Sequence, residues 1–210
     1  MATPDRTSFE TVLNKYAAAH NENGTDKTTS HAYGPLYSRL FEPYRDAARA
    51  VMEIGVYSGA SVLAMADFFE GAEILGVDIT LDNVKFGRFH PRVKYVQMDG
   101  TQADAPANLL ASSGRKAPEK GGWDVILDDA SHRPEDQVQA FRVWGPHVAP
   151  GGIFVIEDID GRHADQVRAG LEKVASELGT FLPVEWYDLR GVKGQFDDIV
   201  AVIRRTAEPM

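Results

Sequence analysis

Residues 50 to 59 read AVMEIGVYSG, a short apolar run that closes on two glycines, Gly55 and Gly59. Directly behind it SVLAMADFF, residues 61 to 69, has helical character. A strand, a glycine turn and a helix in that order is the opening unit of an α/β sheet, and the rest of the chain repeats the unit. EILGVDI (73–79), VKYVQMD (93–99), WDVILDD (123–129) and GGIFVIED (151–158) are four more short β-rich runs. The last two are continuously hydrophobic, as strands covered on both faces are. QVQAFRVWGPHV (137–148) and ADQVRAGLEKVASELG (164–179) supply helices between and after them. PVEWYDLR (183–190) and DIVAVIRR (198–205) read as two strands separated by GVKGQF, close enough to pair antiparallel. Alternating strands and helices followed by a hairpin predict a doubly wound α/β sheet with a C-terminal antiparallel hairpin. Ahead of the sheet, SFETVLNKYAAAH (8–20) predicts a helix capped by Ser8, and NENGTDKTTSHAYG (21–34) a structured loop. PLYSRLFEPYRDAAR (35–49) shows helical spacing broken at Pro43, and SSGRKAPEKGG (112–122) reads as a mobile loop.

The bulk properties narrow the function. At 210 residues one domain is expected, with no repeat or linker to divide it. A formal charge of −9 argues against nucleic acid as a partner, because phosphate binding needs a basic face. The chain has no cysteine, which excludes disulfides, thiolate metal sites and a thiol nucleophile. The start, MATPDRTSFETV, is polar, and no apolar run long enough to span a membrane follows. These features are those of a cytoplasmic protein with no membrane partner.

In such sheets ligands bind at the carboxyl ends of the strands, where strand order reverses. At the first strand end, Gly55 and Gly59 would let the backbone turn sharply and approach a ligand; the plainer alternative is a tight strand–helix turn alone. Asp78 ends the second strand, where a carboxylate can accept both ribose hydroxyls, and Asp99 ends the third, within reach of an adenine. A nicotinamide cofactor uses similar geometry. However, a diphosphate calls for G-x-G-x-x-G, the spacing here is G-x-x-x-G, and Glu53 two residues ahead would repel it. An acid there suits a ligand with an amino group, such as the methionine end of S-adenosylmethionine. The fourth and fifth runs, expected to be neighbours, each end on an acid doublet: Asp128-Asp129 and Glu157-Asp158. Adjacent strand residues point opposite ways unless the backbone turns, and clustered carboxylates raise one another's pKa. A hard divalent cation removes that cost, with magnesium the best match to oxygen ligands. The alternative is helix capping by the acids. His132, three residues past Asp129, can exchange a proton near neutral pH.

Taken together, Gly24-Thr25-Asp26-Lys27 with His31 and Tyr33, MEIGVYSGAS, GVDI, DGTQAD, DDASH and GGIFVIED resemble the metal-dependent, S-adenosylmethionine-dependent sugar O-methyltransferases of actinobacterial type, over roughly residues 24 to 160. The resemblance implies a Rossmann-like class I methyltransferase fold over residues 51–210, preceded by a helical and loop segment, 1–50, that forms a lid over the cofactor. It implies Asp129, Glu157 and Asp158 as Mg2+ ligands and His132 as general base. It places Thr25, Lys27, Tyr33, Glu53, Gly55, Ser58, Asp78, Asp99, Gln102 and Asp128 around the cofactor. The chain departs from the macrolide enzymes of that family in its short N-terminal part and in Ile159-Asp160-Gly161-Arg162-His163 after the second doublet. The expected acceptor is therefore a small saccharide or glycoside, with a mannoside of methylmannose polysaccharide assembly as one form. A homodimer is compatible with the apolar segment PLYSRLFEPY. A catechol-type metal-dependent methyltransferase and a non-catalytic cofactor-binding protein are the competing readings.

Overall fold

A computed structural model of the chain describes residues 6–17, 24–113 and 121–207, with only the backbone described over 110–113. Every residue of the first strand, β1 (Ala50–Ile54), is buried, because it has strand partners on both sides and helices over both faces. On one side it pairs in parallel with β2 (Glu73–Asp78), and β2 with β3 (Val93–Gln97). On the other it pairs with β4 (Trp123–Asp128), which pairs with β5 (Val148–Ile156). The sheet is completed antiparallel by β6 (Glu185–Asp188) and β7 (Ile199–Arg204), in the order β3-β2-β1-β4-β5-β7-β6. Strand order reverses between β1 and β4, so the switch point lies between their carboxyl ends.

The expected hairpin is present, with Glu185 opposite Val202. Its second strand, not its first, packs against the parallel strands, with Ile153 opposite Arg204. Composition explains the inversion. All of β7 but its last residue is buried, whereas β6 carries Glu185 and Asp188 and is only partly covered. A charged strand belongs at a sheet edge, where it discourages pairing with other chains.

Alternate strand residues feed two cores. Val51, Val125 and Val155 face α1 (Phe9–Leu13), α2 (Gly34–Phe41) and α3 (Ala60–Phe68). Met52, Ile126 and Phe154 face the other way, toward α4 (Ala105–Ser113), α5 (Pro134–Trp144) and α6 (Ala164–Leu178). A last helical turn, α7 (Arg190–Lys193), lies inside the expected hairpin connection. Neither α4 nor α7 was foreseen. The second helix does end as expected: Pro43 sits in a short 3-10 turn that replaces α-helix after Phe41.

The first helix is shorter than predicted. Ser8 caps it, accepting from the Thr11 N–H at 3.2 Å. After Leu13, however, the Tyr16 hydroxyl is drawn to Asp67 (2.7 Å), and its carbonyl accepts from the Thr25 N–H (2.9 Å). These long-range bonds replace the helical ladder, and Ala17 bridges to Thr25. Residues 18–23 of the predicted helix and loop, His20 among them, and most of the predicted mobile loop (114–120) lie outside the described residues. No described helix is long and apolar enough to cross a membrane.

Candidate active site

The carboxyl ends of β1, β4 and β5 lie side by side, with Ile54 opposite Asp128 and Asp128 opposite Ile156. Both acid doublets therefore leave the sheet at the same edge. Convergence of their side chains needs a backbone turn, and the structure supplies it. Asp158 has φ +54 and His132 φ +57, left-handed values that are uncommon outside glycine. Both residues turn back onto Asp129: His132 Nε2 is 3.0 Å from Asp129 Oδ1 and 3.5 Å from Asp158 Oδ2. Donor atoms of Asp129, His132 and Asp158 lie within 4.8 Å of one another.

The loop of residues 24–33 closes this edge, anchored by the Ser58 hydroxyl, which donates to the Gly24 carbonyl at 3.1 Å. It delivers Lys27, 3% exposed, into the middle of the acids. The ammonium contacts Asp129 Oδ2 at 2.5 Å, donates to Glu157 and stands 3.7 Å from Glu53 Oε1. Glu157 is further held by the Tyr37 hydroxyl, and Asp158 by the Tyr33 hydroxyl. From α5, Gln137 fixes the turn between the two acids, its Nε2 donating to the carbonyls of Glu157 (3.0 Å) and Asp158 (3.3 Å). Glu157 gives its oxygens to Lys27 and Tyr37 while staying within hydrogen-bond reach of Asp129.

Burial dominates the electrostatics. It pushes Glu53 up to about 7, against the opposing pull of Lys27. Burial and the charge of Asp129 raise Asp128 to about 8 and Asp158 to about 6. Glu157 is raised well above its ordinary value for the same two reasons. Asp129 moves the other way: burial would raise it, but Lys27 and His132 bring it below its ordinary value. His132 is raised to about 9, because its hydrogen bond to Asp129 and the neighbouring acids outweigh a burial that would lower it. Five carboxylates thus face Lys27, His132 and His31, whose Nδ1 stands 3.5 Å from Asp158 Oδ1. The excess of hard oxygen donors fits a divalent cation.

The residues assigned to the cofactor are differently engaged. Gly55 was expected to let a ligand approach; instead it lets the protein approach itself. At its φ of +84, a Cβ would stand 2.0 Å from the Asp129 carbonyl oxygen, and the Asp129 N–H donates to Ile54 O at 2.8 Å. Gly59, at φ +82, begins α3 and leaves room for the Tyr95 hydroxyl. Asp78 clamps the glycine turn, its Oδ2 accepting the N–H groups of Val56 (2.8 Å) and Tyr57 (3.2 Å). Its other oxygen accepts weakly from Thr80 N–H at 3.2 Å, and beside it Ile79 presents an exposed apolar face. Glu53 accepts from the Ser61 hydroxyl at 2.7 Å. Asp99 lies two residues past the end of β3, exposed, and accepts from Thr101 and Gln102 (2.8 Å from its Nε2). Thr25 and Tyr33 are buried in the loop rather than open to a ligand. The missed participants are Tyr37, Ser61 and Gln137. Only Tyr37 left a signal, one helical turn after Tyr33.

Three comparisons agree with this geometry. Residues 52–159 match the family model described as a methyltransferase domain. Over 144 residues the chain is 35% identical to the 8-demethyl-8-alpha-L-rhamnosyl tetracenomycin-C 2'-O-methyltransferase of Streptomyces olivaceus, covering 65% of this chain and 35% of that one. It is 32% identical over 136 residues to the mycinamicin VI 2''-O-methyltransferase of Micromonospora griseorubida, covering 61% and 32%. The match thus spans about a third of the length of these relatives. A methyltransferase of the mycinamycin biosynthetic pathway, solved with Mg, SAH and mycinamycin VI, superposes with a TM-score of 0.70 at 22% identity, covering 96% of this chain and 55% of that one. With the glycine turn, the reversed strand order and a family match over half its length, this chain belongs to the methyltransferase-domain family.

Proposed function

We propose that this chain is an S-adenosylmethionine- and divalent-cation-dependent O-methyltransferase acting on a sugar hydroxyl of a small saccharide or glycoside. The observation that carries the reading is His132: 40% exposed, it rests on Asp129 and Asp158 at the strand edge that holds the glycine turn. Relatives named for methylation of rhamnosyl and macrolide sugars support the acceptor class. The Mg and SAH in the superposed structure support the cofactors.

The cofactor would lie along the ends of β1 to β3, with Asp78 and Ile79 toward its nucleoside and Glu53 toward its amino group. Asp129 and Asp158, with Glu157 once Lys27 gives way, would hold Mg2+. The ion would supply Lewis acidity that lowers the pKa of a bound alcohol. His132 is the proton acceptor for that alcohol. While its acids are unneutralised it stays protonated at neutral pH; offsetting their charge returns it toward its ordinary range near 6.5, where it can accept. Lys27, Tyr33 and Tyr37 hold the carboxylates in place and keep water from them. The protein's remaining task is alignment of the acceptor oxygen with the methyl carbon.

The test is methyl transfer from labelled S-adenosylmethionine to a panel of sugars, mannosides, glycosides and catechols, with magnesium and with a chelator. Sugar methylation that the chelator abolishes is expected. His132→Ala should cut kcat by about 10²–10⁴ while still binding the cofactor. Turnover in chelator, or near-normal turnover by His132→Ala, would refute the reading.

A further inference from the structure

Asp198 precedes β7 and is completely buried. One of its oxygens, Oδ1, lies 2.6 Å from His31 Nδ1. The other, Oδ2, is buried without a hydrogen-bond partner among the described residues, and so is Oδ1 of the neighbouring Asp197. Buried carboxylate oxygens are normally satisfied, and two orphans beside one imidazole call for an explanation. Lys193, which holds the His31 loop, does not supply it. It spends its ammonium on the carbonyls of Thr28 (2.7 Å), Thr29 (2.8 Å) and His31 (2.8 Å). Donor atoms of His31, Asp197 and Asp198 lie within 4.8 Å of one another. The imidazole is held in orientation by stacking on Tyr33, with ring centroids 5.0 Å apart and planes 18° apart.

We propose that His31, Asp197 and Asp198 form a second divalent-cation site, adjoining the acid cluster around Asp129, since His31 Nδ1 also stands 3.5 Å from Asp158 Oδ1. One nitrogen and two carboxylate oxygens make a softer donor set than the three carboxylates assigned to Mg2+, suited to manganese- or zinc-type ions more than to magnesium. The ion would satisfy both orphan oxygens at once. It would also tie the loop that carries Lys27 to residues at the start of β7, 167 positions along the chain from His31 to Asp198. The site is structural: its filling pins the loop whose side chains hold the acid cluster. It does not depend on methyl transfer.

The experiment is an Mn2+ titration of the metal-stripped full chain, with free Mn2+ read by electron paramagnetic resonance. Wild type is compared with Asp198→Asn, Asp197→Ala and Asp129→Asn. Asp198→Asn should lose one equivalent of bound Mn2+ relative to wild type, and Asp129→Asn should retain that equivalent. Asp197 is only partly buried, so Asp197→Ala offers a variant less exposed to misfolding; it should weaken the same equivalent at least tenfold with an unchanged circular dichroism spectrum. A folded Asp197→Ala or Asp198→Asn that binds as many ions as wild type, with the same affinity, overturns the proposal. If Asp129→Asn alone loses Mn2+, only the first cluster binds metal, and the proposal fails while the functional reading stands.

Discussion

Replacing Lys27 by Met keeps most of the apolar stem and removes the charge. The ammonium is almost wholly buried and touches Asp129 and Glu157, with Glu53 at 3.7 Å, so solvent screens it little. Removing one member of a buried ion pair costs about 3–5 kcal/mol, because the other is left uncompensated. That is a large share of the roughly 5–15 kcal/mol by which domains are stable. For a domain of this size it corresponds to a fall in Tm of about 6–20 °C. The pH dependence follows from the sign of the shifts. Without Lys27, Asp129 and Glu157 are raised in the folded state, so their protonated forms preserve stability at low pH and it is lost as pH rises. The deficit should therefore be small near pH 5 and fully developed at pH 8. Urea unfolding of both proteins in chelator, across that range, measures it, and magnesium should restore part of the loss at pH 8. A deficit below about 1 kcal/mol at pH 8, typical of exposed pairs, would show that Lys27 is not the counter-charge of this cluster.

Four further outcomes are expected. Glu53 is raised from 4.5 to about 7 on folding, so the stability it permits is complete below pH 4.5 and lost as pH passes 7. Glu53→Gln should remove up to about 3 kcal/mol of that decline, read as a flatter plot of unfolding free energy against pH. Gly55→Ala should destabilise by roughly 3 kcal/mol or more, since its Cβ would meet the Asp129 carbonyl. Gly191→Ala, with nothing within 4 Å of its Cβ, should stay within about 0.5 kcal/mol in the same denaturation assay. Asp78→Ala should cost about 1–3 kcal/mol in the absence of cofactor, because it strips the partner from the Val56 N–H. A change confined to cofactor affinity would refute the clamp.

Much of the fold was legible because its strands are covered on both faces. WDVILDD and GGIFVIED had to be interior, and their neighbourhood followed. What was hidden depends on tertiary competition. Which hairpin strand meets β5 is decided by the burial of Ile199–Ile203 against the charges of Glu185 and Asp188. The early end of α1 is decided by partners for Tyr16 far along the chain. At the site, the acid doublets and His132 were visible as charge set on apolar strand ends. Their convergence was not, because it rests on the left-handed backbone of Asp158 and His132, a conformation these residue types tolerate but that no local pattern announces. Lys27 and Tyr37 were visible as a motif residue and as a helical-turn neighbour of Tyr33, but their place among the acids was not, and Gln137 left no signal in the sequence.

The placement of β7 has a consequence for biogenesis. As the ribosome delivers the chain, the parallel strands are complete long before residues 199–204 emerge, so β5 waits with a naked row of amide and carbonyl groups along one margin. An intermediate halted there would be prone to self-association through that open margin. Only insertion of β7 seals it, which makes that strand a gate on productive maturation.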